Sequence, residues 1–131
     1  MQPVRIAVAV VLDAGRVLVG RRSPAATDAA GCDEFPGGKV EPGETPREAA
    51  ARECAEETGL AIDVFEGIDT ATARASSGAI EVAFFLARPR EPAATPRPPY
   101  AWVAIADLQP ARFPAANAGV LAWLRAGQGG S

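Results

Sequence analysis

The chain alternates between apolar stretches of strand length and short polar breaks, with one long charged segment between them. From Val4 to Leu12 the residues are β-branched and apolar, the pattern of a strand buried on both faces. Asp13-Ala14-Gly15 is a turn signal. Arg16 to Arg22 sets Val17 and Val19 against Leu18 and Gly20, which predicts a second strand and a hairpin with the first. Ser23 to Asp33 is small, polar and Pro/Gly-marked, hence a loop, and Glu34 to Val40 is a short extended piece broken by glycines. After the turn Glu41-Pro42-Gly43-Glu44, Thr45 has the character of an N-cap, with Pro46 at the first helical position and Glu48 three residues on. This helix should run to about Thr58 and stop at Gly59, burying a narrow face of small residues, Ala51, Cys54 and Ala55. Strands are expected within Ala61 to Ala73 and Ile80 to Ala87, with a small-residue loop over Ala71 to Gly78. A stiff proline-rich loop follows from Pro89 to Pro99, then a strand from Tyr100 to Ile105 and a closing helix from Pro114 to Arg125. The whole reads as one mixed α and β domain over residues 1–126, with a disordered tail at 127–131.

Composition narrows the chemistry. With 131 residues, 48% of them hydrophobic, the chain can bury an ordinary core. The formal net charge is -3, from 13 basic and 16 acidic residues, which disfavours binding to a nucleic-acid polymer. The absence of histidine excludes a His-based triad, a His general base and His-ligated zinc. Cys32 and Cys54 lie far apart and match no metal or redox spacing, so Cys54 is expected as a buried free thiol. The apolar run Ile6 to Leu12 is too short to span a membrane, and no leader pattern precedes it, so a cytoplasmic protein is the default expectation. Nothing in the pattern specifies an oligomeric state.

The charged segment carries the strongest signal. At about 100° per residue, Glu53, Glu56 and Glu57 fall within an arc of roughly 100° on one helix face. Three like charges side by side weaken a helix unless a cation relieves them. Hard divalent cations with oxygen ligands suit such a face, Mg²⁺ first and Mn²⁺ next. Just upstream, Gly37 and Gly38 allow a backbone to approach a ligand or to turn the chain.

Gly38, Glu44, Arg52, Glu53, Cys54, Glu56, Glu57, Gly59 and Leu60 meet the pattern G-x5-E-x7-R-E-U-x-E-E-x-G-U, U being aliphatic, with Cys54 as the one departure. The segment therefore resembles the Nudix box. Glu34-Phe35-Pro36-Gly37-Gly38-Lys39 resembles the lead-in of the MutT-like subfamily, which hydrolyses nucleoside triphosphates. The resemblance implies an α/β/α sandwich with a mixed sheet. It also implies attack by water at the β-phosphorus of a nucleotide, giving nucleoside monophosphate and pyrophosphate. Glu53, Glu56 and Glu57, with a backbone carbonyl of Gly37 or Gly38, would hold the metal. Glu53 or Glu44 would be the general base, and Arg52 would pair with Glu44 and keep the acids in place. The loop before the last strand, where some relatives carry a further carboxylate, has no acid between Pro92 and Pro99; Glu91 and Asp107 flank it. Arg22, Phe35, Lys39 and Asn117 would meet the substrate. An Asn side chain offers both a donor and an acceptor to a base edge, although Asn117 could equally cap a helix. The substrate favoured on this basis is an oxidised nucleotide such as 8-oxo-dGTP. Two readings from other classes stand beside it: a catalytically silent nucleotide-binding domain, and a partner-binding domain working through its proline-rich loop.

Overall fold

The structure is a computed structural model, described here for residues 3–21, 32–76 and 78–127. The described residues form seven strands: β1 (Val4–Asp13), β2 (Arg16–Arg21), β3 (Asp33–Glu34), β4 (Gly37–Lys39), β5 (Ile62–Ala75), β6 (Gly78–Pro89) and β7 (Tyr100–Ala104). Two α-helices complete it, α1 (Pro46–Thr58) and α2 (Ala118–Arg125), with single turns of 3₁₀ helix at Ile105–Asp107, Pro110–Arg112 and Ala115–Asn117. The sheet runs β3-β2-β1-β6-β5, with β4 paired to β1 and β7 to β2. The β1–β6 pair is parallel and the other pairs are antiparallel, so the sheet is mixed.

The central strand β1 explains the arrangement. Its residues from Ala7 to Leu12 are buried on both faces. Alternation along a strand sends Val8, Val10 and Leu12 to one side, where they meet Phe84, Val120, Leu121 and Leu124. It sends Ala7, Ala9 and Val11 to the other, where they meet Ala49, Ala50 and Cys54 of α1. The result is a sheet between two helices, an α/β/α sandwich.

Helix α1 begins and ends as its sequence dictates. Thr45 accepts the Glu48 N–H at 3.1 Å while the Glu48 carboxylate accepts the Thr45 N–H at 2.8 Å, a full capping box worth about 1 kcal/mol. Gly59 closes it at φ 80°, a left-handed conformation that favours glycine. The buried face consists of Ala49, Ala50, Cys54 and Thr58, whereas Ala55, expected inside, is exposed. Thr58 is satisfied internally: its hydroxyl donates to the Cys54 carbonyl at 2.7 Å and accepts the Leu60 N–H at 3.1 Å.

Other boundaries differ from the sequence expectation for local reasons. The stretch from Asp33 to Lys39 is not broken by its glycines. It is divided at Phe35-Pro36, where the chain leaves β2 for β1: Gly20 pairs with Glu34, and Val8 and Ala7 pair with Gly37 and Gly38. Proline removes a ladder donor there. The expected loop over Ala71 to Gly78 is instead the end of a long hairpin, with pairing continued to Ala75 and Gly78. Small residues such as Ala and Thr left little hydrophobic pattern to signal it. The closing helix starts later than Pro114, after a 3₁₀ turn. Most of the expected Ser23-to-Asp33 loop, and the tail beyond Gly127, lie outside the described residues.

Candidate metal and nucleotide site

Three elements meet at the acidic face of α1: the helix, strand β4 and the start of β7. Gly37 and Gly38 are there because there is no room for side chains. A Cβ on Gly37 would stand 2.5 Å from the Ala7 carbonyl oxygen, and one on Gly38 would overlap the Glu53 carboxylate. Both glycines lie in ordinary extended backbone within β4, so close approach rather than an unusual turn requires them.

Arg52 organises the outer part of the cluster. Its Nε donates to Glu44 Oε2 at 2.7 Å and its Nη2 to Glu44 Oε1 at 3.0 Å, a two-pronged pair. Nη1 reaches Glu53 Oε2 at 3.2 Å and Glu56 Oε1 at 3.3 Å, and Nη2 also donates to the Lys39 carbonyl at 3.1 Å. The pairing holds the Glu44 carboxyl at about 2, well below the usual carboxylate range, helped by the Glu41 N–H that it accepts at 3.0 Å. The guanidinium itself is pushed further above its already high value, chiefly by Glu44.

Glu57 faces inward and has a different environment. Its Oε1 accepts the Gly37 N–H at 3.0 Å and the Tyr100 hydroxyl at 3.3 Å. Burial pushes its carboxyl up, and the nearby Glu53 and Glu34 carboxylates add to the rise. Tyr100 also points toward Glu34 Oε2, at 3.5 Å, and its phenol is pushed up by burial first and by these acids next.

The residue types suit a hard divalent cation. Every side-chain donor here is a carboxylate oxygen, and the crowding of Glu57 with Glu53 and Glu34 is the electrostatic cost that a cation would remove. The carboxylates are not drawn into a ready-made cage: among the described residues, no three acids or thiols already form a compact ligand group. Mg²⁺ usually keeps several waters and takes only one or two carboxylates, so the set fits it without such a cage.

The residues expected to meet substrate are less closely gathered. Arg22 lies outside the described residues. Phe35 is 5% exposed and stacked on Phe113, ring centroids 5.0 Å apart, so it belongs to the core behind the site. Lys39 is exposed at the end of β4. Asn117 stands at the start of α2 without capping it. Its Nδ2 donates back to the Pro114 carbonyl at 3.1 Å, and no hydrogen bond to its Oδ1 is present among the described residues. Glu91 and Asp107 are exposed at the two ends of the segment leading into and out of β7.

Sequence reasoning missed the part played by the proline-rich loop. It brings no acid to the site, but it is fastened to the end of α1. The Arg97 N–H donates to the Thr58 carbonyl at 2.8 Å, and Arg97 Nη1 to the Glu56 carbonyl at 2.8 Å. An arginine at a helix C-terminus satisfies free carbonyls and opposes the helix dipole. A lone arginine between prolines gave no such signal. Trp102 Nε1 donates to the Ala94 carbonyl at 2.8 Å, fixing the other side of the loop.

Fold and site together define a small α/β domain that presents an acidic helix beside a glycine strand. The NUDIX domain model matches residues 1–124. The 8-oxo-dGTP diphosphatase of Escherichia coli K12 is 32% identical over 127 residues, covering 95% of this chain and 98% of that protein. The CTP pyrophosphohydrolase of the same organism is 42% identical over 66 residues, but that match spans only 50% of this chain and 48% of the relative. Among solved structures, the E. coli ORF135 protein superposes with a TM-score of 0.79 at 26% identity, covering 98% of this chain and 92% of that one. A MutT Nudix hydrolase from Burkholderia pseudomallei gives a TM-score of 0.74 at 26% identity, covering 92% and 97%. The chain belongs to the Nudix hydrolase family, within its MutT-like branch.

Proposed function

We propose that this Nudix hydrolase is a Mg²⁺-dependent pyrophosphohydrolase that converts a nucleoside triphosphate to nucleoside monophosphate and pyrophosphate. The observation that carries the reading is the acidic face of α1 set against β4: Glu53 lies on Gly38, Glu57 accepts the Gly37 N–H, and Arg52, paired with Glu44, ties Glu53 to Glu56. Glu53, Glu56 and Glu57 would hold the cation, with a carbonyl from Gly37 or Gly38. Bound there, Mg²⁺ or Mn²⁺ would neutralise phosphate charge and acidify a water. The chain's own residues supply position. Arg52 keeps Glu44 ionised and holds Glu53 and Glu56 in place. Glu53 or Glu44 takes the proton from the attacking water. In-line phosphoryl displacement asks little covalent chemistry of the protein, so this set suffices.

For the base, the finer reading is an oxidised purine such as 8-oxo-dGTP. It is supported by the near full-length similarity to an 8-oxo-dGTP diphosphatase and by the Asn117 amide, which makes no capping bond to α2 among the described residues. A second reading, CTP, is favoured by the higher identity to a CTP pyrophosphohydrolase over half the chain. Purified protein with Mg²⁺ and a panel of ordinary and oxidised nucleoside triphosphates tests both, with products identified by chromatography. Pyrophosphate release is expected, with kcat/KM highest for 8-oxo-dGTP. Preference for CTP would replace the first base assignment by the second, and no turnover of any nucleotide would overturn the pyrophosphohydrolase reading.

A further inference from the structure

Tyr100 occupies a position that a purely apolar core residue would not need. It is the first residue of β7 and is 7% exposed, on the α1 side of the sheet among Leu18, Ala50 and Cys54. Across the ladder it faces Gly20 of β2, where a Cβ would come within 2.8 Å of the ring. The missing side chain at Gly20 therefore makes the slot in which the ring lies. Its backbone is fixed as well: the Tyr100 N–H donates to the Arg97 carbonyl at 3.0 Å, and Arg97 is itself fastened to Thr58 and Glu56 at the end of α1. Ring and hydroxyl are thus held in register with the helix that carries the acids.

At the end of that ring, the hydroxyl stands 3.3 Å from Glu57 Oε1 and 3.5 Å from Glu34 Oε2. These separations are long for O–H···O bonds, as expected of one proton between two carboxylates. The same Glu57 oxygen accepts the Gly37 N–H at 3.0 Å. Both donors reach Oε1, and no hydrogen bond to Glu57 Oε2 is present among the described residues.

We propose that Tyr100 is a positioning residue for the cation site: its hydroxyl and the Gly37 N–H grip the inner oxygen of Glu57 and leave the outer one free for a divalent cation. The inference rests on the reading of Glu57 as a cation ligand. Groups that orient a ligand from behind typically change metal affinity by about 10- to 100-fold when removed. A single long hydrogen bond belongs at the lower end of that range.

The test compares the full chain with its Tyr100→Phe variant, both stripped of metal with a chelator. Mn²⁺ binding is followed by calorimetry and by electron paramagnetic resonance, and the melting temperature of each metal-free form is recorded. Tyr100→Phe keeps the ring, so the metal-free melting temperature should stay close to wild type, while Mn²⁺ binding should weaken by about 10-fold. The Mg²⁺ concentration for half-maximal pyrophosphate release should rise in parallel, with kcat regained at high Mg²⁺. Gly20→Ala, which keeps the hydroxyl but crowds the ring, should weaken Mn²⁺ binding in the same direction. Unchanged Mn²⁺ affinity in Tyr100→Phe, with or without a lower melting temperature, would overturn the inference while leaving the site standing. Failure of the wild-type chain to bind Mn²⁺ would overturn the site reading itself.

Discussion

The two faces of the sheet are built from residues of different size, and they do different work. Towards α2 the contacts are between large side chains: Val8, Val10, Phe84, Leu121 and Leu124, extended by the stacked Phe35 and Phe113. Towards α1 the strand and helix meet through small ones, Ala7 and Ala9 of β1 against Ala49, Ala50 and Cys54, with larger residues such as Leu18, Leu60, Ile62 and Tyr100 around them. Large residues bury more apolar area, at about 25 cal/mol per Å², so each contact towards α2 contributes more hydrophobic stabilisation. Small residues bury less but let backbones approach closely. That closeness is what lays the Glu53 carboxylate on Gly38 and brings the Gly37 N–H to Glu57. One face holds the fold, and the other sets distances for chemistry.

The sharpest way to break this division is on the small-residue face. Glu57→Gln removes the carboxylate charge of the proposed cation ligand at the centre of the site while keeping its shape. Mg²⁺-dependent turnover should fall by about 10³-fold or more, because the metal's chemistry is lost along with its position. The melting temperature of the metal-free variant should hold or rise, since burial and its neighbours disfavour the charge on Glu57. Near-normal turnover in this variant would show that the acidic helix is not the metal site. On the other face, Leu124→Ala should do the opposite. Leu124 is 1% exposed, and its truncation should cost about 3 kcal/mol of stability, read by denaturant unfolding. Turnover per folded molecule should remain near wild type.

Gly38→Ala sharpens the contrast further. The three atoms nearest the added methyl all belong to the Glu53 carboxylate, at the end of a flexible side chain that can swing aside, so little stability should be lost. The displaced carboxylate is another matter: a misplacement of about 1 Å can cost roughly 100-fold in rate. The expected result is an intact fold with kcat reduced by about that factor. A variant that loses stability and activity together would mean that β4, rather than Glu53, had moved.

The same difference decides how much could be read in advance. Helix α1 was legible from cap to cap because Thr45, Pro46, Glu48 and Gly59 each have a local reason to stand where they do. The acids were legible for a related cause: their spacing alone places Glu53, Glu56 and Glu57 on one face. What escaped was long-range. The end of the β5–β6 hairpin is built mostly of alanine, threonine and serine with Arg74 and Gly78, which carry almost no hydrophobic pattern, so its pairing could be set only by the neighbouring strand. Arg97 and Tyr100 act on α1 across more than forty positions of sequence, and neither belongs to a local motif. Phe35 shows a further long-range feature that its local motif does not signal. Read as a substrate contact from its place in the lead-in, it lies under the site as half of an aromatic pair.

The smallest effect separates two acids of one cluster. In metal-free protein, Glu44 has its carboxyl lowered to about 2 by the Arg52 pair, while Glu57 is raised by burial. The signs are opposite. A lowered carboxyl contributes stability that is fully present above its unfolded value, 4.5, and is lost as pH falls toward about 2. A raised one contributes below 4.5, and that contribution is lost as pH rises through the folded value. The melting-temperature difference between wild type and Glu44→Gln isolates the first. With a chelator present, the difference should be constant above pH 4.5 and close progressively toward pH 2. The Glu44–Arg52 pair is part-buried, so added salt should shrink the difference only modestly. A difference that persists undiminished at pH 2 would mean that the stability does not come from the titrating charge of Glu44 on Arg52.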